Sequence, residues 1–120
     1  MAGKLIQERL LDSLRDTFGS NPTNVDLANR YWNALASLNG HNVRSGGFVI
    51  EVYRQAALTS KDGVIALGRA YRELHEESGE SPRAAFFDDT LIRVLQTTVQ
   101  NLEEPACSNV RWILESITTE

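Results

Sequence analysis

Three side chains of the sequence are the first candidates for metal binding or nucleophilic chemistry: His41, His75 and Cys107. No two of them stand three or four residues apart, which is the spacing that lets a helix or a short loop hold a metal ion. His75 falls in the last turn of a predicted helix, where a partial positive charge is favourable. We therefore interpret both histidines as structural or surface residues, and we expect no metal ion and no other cofactor.

Cys107 is the one cysteine of the chain, and it follows Pro105 at the predicted start of the last helix. A helix N-terminus can lower the pKa of a thiol and make it nucleophilic. The alternative is a small, partly buried apolar residue, which free cysteines often are. No histidine pattern accompanies Cys107, so we expect no catalytic residue, although its reactivity stays open. Because one cysteine cannot form a disulfide within the chain, we expect a reducing compartment and a cytoplasmic protein.

Adjacent acids occur at three places: Glu76-Glu77, Asp88-Asp89 and Glu103-Glu104. General acid–base catalysis needs two carboxylates aimed at one point, whereas neighbours on a helix point about 100° apart. The spacing of Asp89 and Arg93 is typical of an ion pair on a solvated helix face. We interpret the acids as surface residues, with Asp88 and Asp89 as candidates for contact with a basic partner.

Phosphate and nucleic-acid binding have weaker signals. The run Ser45-Gly46-Gly47 matches neither the P-loop nor the dinucleotide-binding motif. Arg69, Arg72 and Arg83 could contact nucleic acid, but glutamates are interspersed among them, which favours a surface of mixed charge. A nucleic-acid-associated regulator that uses the Arg69–Arg83 region is therefore only an alternative hypothesis.

Adjacent aromatic residues suggest a binding surface. Tyr31 and Trp32 cannot both point straight into the core from one helix, so we expect one of them at the rim of a groove or an interface. Aromatic residues are enriched at binding hot spots, although most of those at helical spacing belong to the core. The candidate partner-binding residues are Tyr31, Trp32, Asp88, Asp89 and Trp112.

The elements that must position these residues are helices. Apolar residues at helical spacing predict helices over residues 4–18, about 24–38, 48–58, about 61–78, 82–103 and about 105–118, with a polar loop over residues 41–47. The segment 48–58 also alternates as a strand would. Because no second strand could satisfy its backbone groups, we predict a helix there and keep the strand as the alternative.

The predicted helix over residues 82–103 is apolar on more than one face, which is typical of a central helix. Ser81 would cap it, and Pro82 suits the first helical position. The fold should therefore be organised around residues 84–102. Gly68, in the middle of the preceding helix, predicts that another helix packs closely there.

Composition completes the prediction of fold class. The 120 residues include 42% apolar and 23% charged residues, as in an ordinary globular domain. We predict a single all-α domain over residues 1–120, folded as a compact bundle of five or six helices. The alternative is three stacked helical hairpins, similar to an α-solenoid. No run approaches the ~20 apolar residues of a membrane span, so we expect no membrane contact.

The net charge of −4 disfavours broad electrostatic binding to nucleic acid. We therefore predict a small, acidic, non-enzymatic protein-interaction module, such as an adaptor, an inhibitor or an immunity-type protein. Its partner would be another protein, for which a basic partner is one hypothesis and a homodimer is another. A helical ligand-binding domain or an enzyme with an unrecognised pocket remains a third hypothesis.

Overall fold

The computed structural model describes Ser13, Asp16 and residues 25–38 and 43–119. The α-helices in this part of the chain are α1 (Val25–Leu38), α2 (Val43–Ala57), α3 (Lys61–Ser78), α4 (Asp89–Thr98) and α5 (Ala106–Thr118), with 3₁₀ turns at Ala84–Phe86 and Val99–Asn101. The predicted fold class, a compact all-α bundle, is confirmed. None of the described helices is long and apolar enough to cross a membrane. The predicted helix over residues 4–18 lies outside the described residues, except that Ser13 and Asp16 are helical.

The second described helix, α2, settles the ambiguous segment 48–58, which is helical as predicted. The predicted loop over residues 41–47 is wrong from Val43 onward, because α2 already begins there. The buried residues Val49, Val52, Tyr53 and Ala56 recur at helical spacing, and α2 packs against both α1 and α3. This packing offsets the low helix propensity of the two glycines near its start.

The central element of the bundle is α3. It begins after Ser60, whose Oγ accepts a hydrogen bond from the Gly63 amide at 3.0 Å, and it ends at Gly79 with φ of 75°. Both ends agree with the sequence prediction. Helix α3 packs against all four other described helices, which therefore surround it.

The predicted central helix over residues 82–103 is wrong. Helix α4 covers only Asp89–Thr98, since the Asp88 carboxylate accepts a hydrogen bond from the Leu91 amide at 2.8 Å and starts the helix there. The preceding residues, which we call the 79–88 segment, contain only a 3₁₀ turn. Tertiary packing holds this segment: Pro82 is buried, and the Phe87 ring lies 5.6 Å from the Tyr71 ring.

Two glycines of α3 permit close helix contacts. A Cβ atom on Gly68 would lie 3.1 Å from the Cβ of Asn109 and 3.3 Å from a methyl group of Val110, which confirms the predicted close packing. A Cβ atom on Gly63 would lie 2.4 Å from the carbonyl carbon of Ala56. The first turn of α3 can therefore approach the backbone at the end of α2 only because position 63 has no side chain.

We expect Gly63→Ala to lower the free energy of unfolding by about 2–3 kcal/mol, because the α2 backbone must move to admit the new methyl group. Urea denaturation would measure the loss. Gly47→Ala is the matched control: a Cβ atom there meets nothing within 4 Å, and alanine should stabilise this helical position by about 0.5–1 kcal/mol. Equal stabilities of the two variants would contradict the close approach.

Candidate functional site

The adjacent aromatic residues Tyr31 and Trp32 both lie in the core, with exposed fractions of 3% and 0%. The Tyr31 ring packs against Phe48 at 5.8 Å, and the Trp32 ring meets the Tyr53 ring edge-on at 6.3 Å. Neither side chain lies at the rim of a groove. The sequence expectation does not hold because α1 packs against both α2 and α3, which together cover more than one face of the helix.

A partly buried polar network joins α1, α2 and α3. Arg69 donates through Nη2 to Asn29 Oδ1 at 2.8 Å and to the Tyr53 hydroxyl oxygen at 2.9 Å, and through Nη1 to Glu73 Oε2 at 3.2 Å. The Tyr53 hydroxyl donates to Asn29 Oδ1 at 2.7 Å, and the Trp32 indole N–H donates to Glu73 Oε2. Arg69 is thus a structural residue that connects three helices.

The three arginines of the Arg69–Arg83 region have different surroundings. Arg69 belongs to the polar network that joins three helices. The Arg72 guanidinium lies 5.0 Å from the Trp112 ring centroid and 3.8 Å from Glu76. Arg83 is exposed and lies in the 79–88 segment. Arg69 and Arg72 each pair with a glutamate one turn further along α3, so the surface here carries mixed charge.

Trp112 lies half-buried on α5, to one side of its inward face as the spacing predicted. The Trp112 ring contacts Arg72 and also His75, whose ring centroid is 5.0 Å from its own. His75 Nδ1 donates to the Glu80 carbonyl oxygen at 3.0 Å. Trp112 and His75 thus connect α3 to α5, and much of the Trp112 ring is already covered.

Cys107 is half-buried, and its Sγ donates to the Val99 carbonyl oxygen at 3.6 Å. Within the part of the chain that the structure describes, no group of three His, Cys, Asp or Glu side chains is placed to hold a metal ion. His41 lies outside the described residues.

An open cleft of about 240 Å³ lies between α2, the second half of α3 and the 79–88 segment. Its apolar walls are Ile50, Tyr71, Leu74 and Phe86, and its polar side chains are Arg54, Glu80, Ser81 and Arg83. We call it the Phe86 cleft. Phe86 lines this cleft, yet it is 54% exposed, so a large aromatic ring at the edge of an apolar cleft remains accessible to solvent.

Arg54 holds Phe86 in place. Its Nη1 donates to the Phe86 carbonyl oxygen at 3.1 Å, and its guanidinium lies 5.4 Å from the centroid of the Phe86 ring. Arg54 also forms an ion pair with Glu51 on the same helix. Burial raises the pKa of the nearby Tyr71 hydroxyl, and the Arg54 charge partly opposes that rise. The exposed ring thus sits on a fixed backbone beside a fixed cation.

A second hollow of about 270 Å³ adjoins the Phe86 cleft, since both are lined by Arg54 and Phe86. It also contains the side chains of Glu51 and Asp88. Asp89 follows in the chain and is exposed. Of the five candidate residues, Asp88 therefore lies in the hollow beside Phe86 and Asp89 follows it in the chain, whereas the other three lie elsewhere.

Sequence reasoning missed Arg54 and Phe86 as members of this surface. The available signal was the doublet Phe86-Phe87, because two successive aromatic residues are rarely buried on the same side of a chain segment. Phe86 and Phe87 both fit the apolar pattern of the predicted helix over residues 82–103, so the doublet did not stand out. In the structure Phe87 is buried at 4% exposure while Phe86 is the exposed member.

Comparison of this chain with protein-family models, curated proteins and solved structures finds no match. No relative therefore suggests a function.

Burial of the Tyr53 hydroxyl should make the stability of the folded chain decline at alkaline pH. Burial raises the pKa of Tyr53 from its ordinary 10.0 to about 12, and the Arg69 charge partly opposes the rise. Above pH 10 the unfolded chain loses this proton while the folded chain keeps it. The free energy of unfolding should therefore fall between pH 10 and about 12, by roughly 2–3 kcal/mol from this group.

Tyr53→Phe should remove this contribution to the alkaline decline. At neutral pH the variant should lose about 1 kcal/mol, because Asn29 and Arg69 each lose a hydrogen-bond partner. Urea denaturation of both proteins at several pH values would measure the difference. An equally steep decline in the variant would contradict the role assigned to Tyr53.

Proposed function

We propose that this chain is a non-enzymatic protein-interaction module that binds a protein partner through the Phe86 face, which consists of Phe86, the Phe86 cleft and the adjoining hollow. The observation that carries the proposal is the exposure of Phe86. At 54% it exceeds the 37% of Phe48 and the 36% of Ile65, the other exposed large apolar residues of the described chain. An exposed aromatic ring beside an apolar hollow is typical of an interaction site.

The rigidity of this face supports the proposal. Arg54 bonds the Phe86 carbonyl oxygen, and Phe87 anchors the next residue against Tyr71. A binding surface that is already ordered loses less conformational entropy when a partner arrives. Phe86 can therefore serve as a preformed anchor.

The size of the cleft favours a protein partner over a small ligand. Ligand pockets usually enclose about 300–1,000 Å³, whereas the Phe86 cleft measures about 240 Å³ and is open to solvent. A single large side chain from a partner suits this volume better than a complete cofactor or substrate. Within this proposal the protein is a cytoplasmic adaptor, inhibitor or immunity-type protein.

Capture from the native cell extract, followed by mass spectrometry, would test this function with three tagged proteins: the wild type, Phe86→Ser and Ile65→Ser. We expect a stoichiometric protein partner with the wild type and with Ile65→Ser. Phe86→Ser should weaken binding at least about tenfold, because it removes a central aromatic anchor.

The variant Ile65→Ser is a matched control, since it also removes an exposed apolar side chain but lies on α3 outside the Phe86 face. Both variants should retain the stability of the wild type within about 0.5–1 kcal/mol, which urea denaturation would check. Undiminished capture of the partner by Phe86→Ser would refute the proposed face. Recovery of the protein alone would refute a stable hetero-complex.

A further inference from the structure

We infer that the segment of the partner that contacts the Phe86 face is basic and inserts one apolar side chain into the Phe86 cleft. This inference rests on the proposed function and specifies its partner chemistry. We expect the inserted side chain to be apolar because Ile50, Tyr71 and Leu74 line the cleft together with Phe86. An aliphatic or aromatic side chain that entered would remove these walls and the Phe86 ring from water.

The charges around Phe86 select a basic segment. Arg54 and Glu51 form an ion pair and largely neutralise each other. Of the remaining charged groups, Glu80 and Arg83 line the cleft, Asp88 lines the adjoining hollow, and Asp89 follows it in the chain. Two carboxylates that line the face, Glu80 and Asp88, therefore stand against the one guanidinium of Arg83, which gives the face an excess of negative charge.

The charge of the whole chain acts in the same direction. Its net charge of −4 attracts a basic protein during diffusional encounter, and the acidic face then offers complementary charge on contact. A second copy of this chain would instead place two acidic faces against each other, which like-charge repulsion disfavours. An acidic peptide is disfavoured for the same reason.

A random peptide library displayed on phage would test the inference with the full chain as bait. Peptides that bind the wild type would be counter-screened against Phe86→Ser. We expect the Phe86-dependent peptides to contain lysine or arginine next to an aliphatic or aromatic residue, and we expect their binding to weaken as salt increases.

The two proposals fail in different ways. Phe86-dependent peptides that are acidic or neutral would overturn the basic partner but leave the Phe86 face as a binding surface. A selection that yields no Phe86-dependent peptide would overturn both proposals.

Reversing the charge of Arg83 tests independently whether the partner segment is basic. Arg83→Glu should tighten binding of a selected peptide by roughly threefold, because it removes the one unpaired cation of the face. Arg111→Glu is the control, since Arg111 is also exposed but lies on α5 and lines neither hollow. It reports the effect of net charge alone and should change affinity less. Weaker binding by Arg83→Glu would overturn the inference.

Discussion

The guanidinium of Arg69 is the constraint on which the arrangement of the first three described helices depends. It bonds Asn29 on α1, Tyr53 on α2 and Glu73 on its own helix. Tyr53 is fully buried, and a buried polar group is costly when it has no partner, so its bonds to Asn29 and Arg69 favour this packing. Among the described residues no buried side-chain nitrogen or oxygen lacks a hydrogen-bond partner. Once α2 and α3 are placed in this way, their residues Ile50 and Tyr71 come together as walls of the Phe86 cleft.

The 79–88 segment packs against the bundle in a way that leaves Phe86 exposed. Pro82 and Phe87 are buried and tie the segment to the bundle, while the 3₁₀ turn between them directs Phe86 outward. Leaving an aromatic ring half in water forfeits part of the free energy that its burial would supply. Arg54 partly compensates through its bond to the Phe86 carbonyl oxygen and its position at the ring. The structure thus stabilises an exposed hydrophobic residue through contacts that leave the ring accessible.

The local signals of the sequence predicted much of the fold. Ser60 and Gly79 delimit α3 as expected, since a side-chain cap and a left-handed glycine act within a few residues. Gly68 correctly indicated a close helix contact. The central helix was wrong because helical spacing of apolar residues continues through residues 82–88, while the Asp88 cap that starts α4 was hidden in an acidic pair. Of the side chains around the proposed face, Asp88 was a candidate in the sequence, whereas Arg54 and Phe86 were not.

The sequence by itself determined the all-α class and most helix ends, because periodicity and capping depend on residues that are close in the chain. Only the tertiary structure decided which apolar residues remain exposed. Tyr31 and Trp32 are both buried because two helices cover α1, whereas Phe86 and Phe87 are divided between solvent and core because a 3₁₀ turn replaces the expected helix. The exposure of a side chain depends on neighbours that are distant in sequence. A local sequence pattern therefore does not show which of these neighbours will cover it.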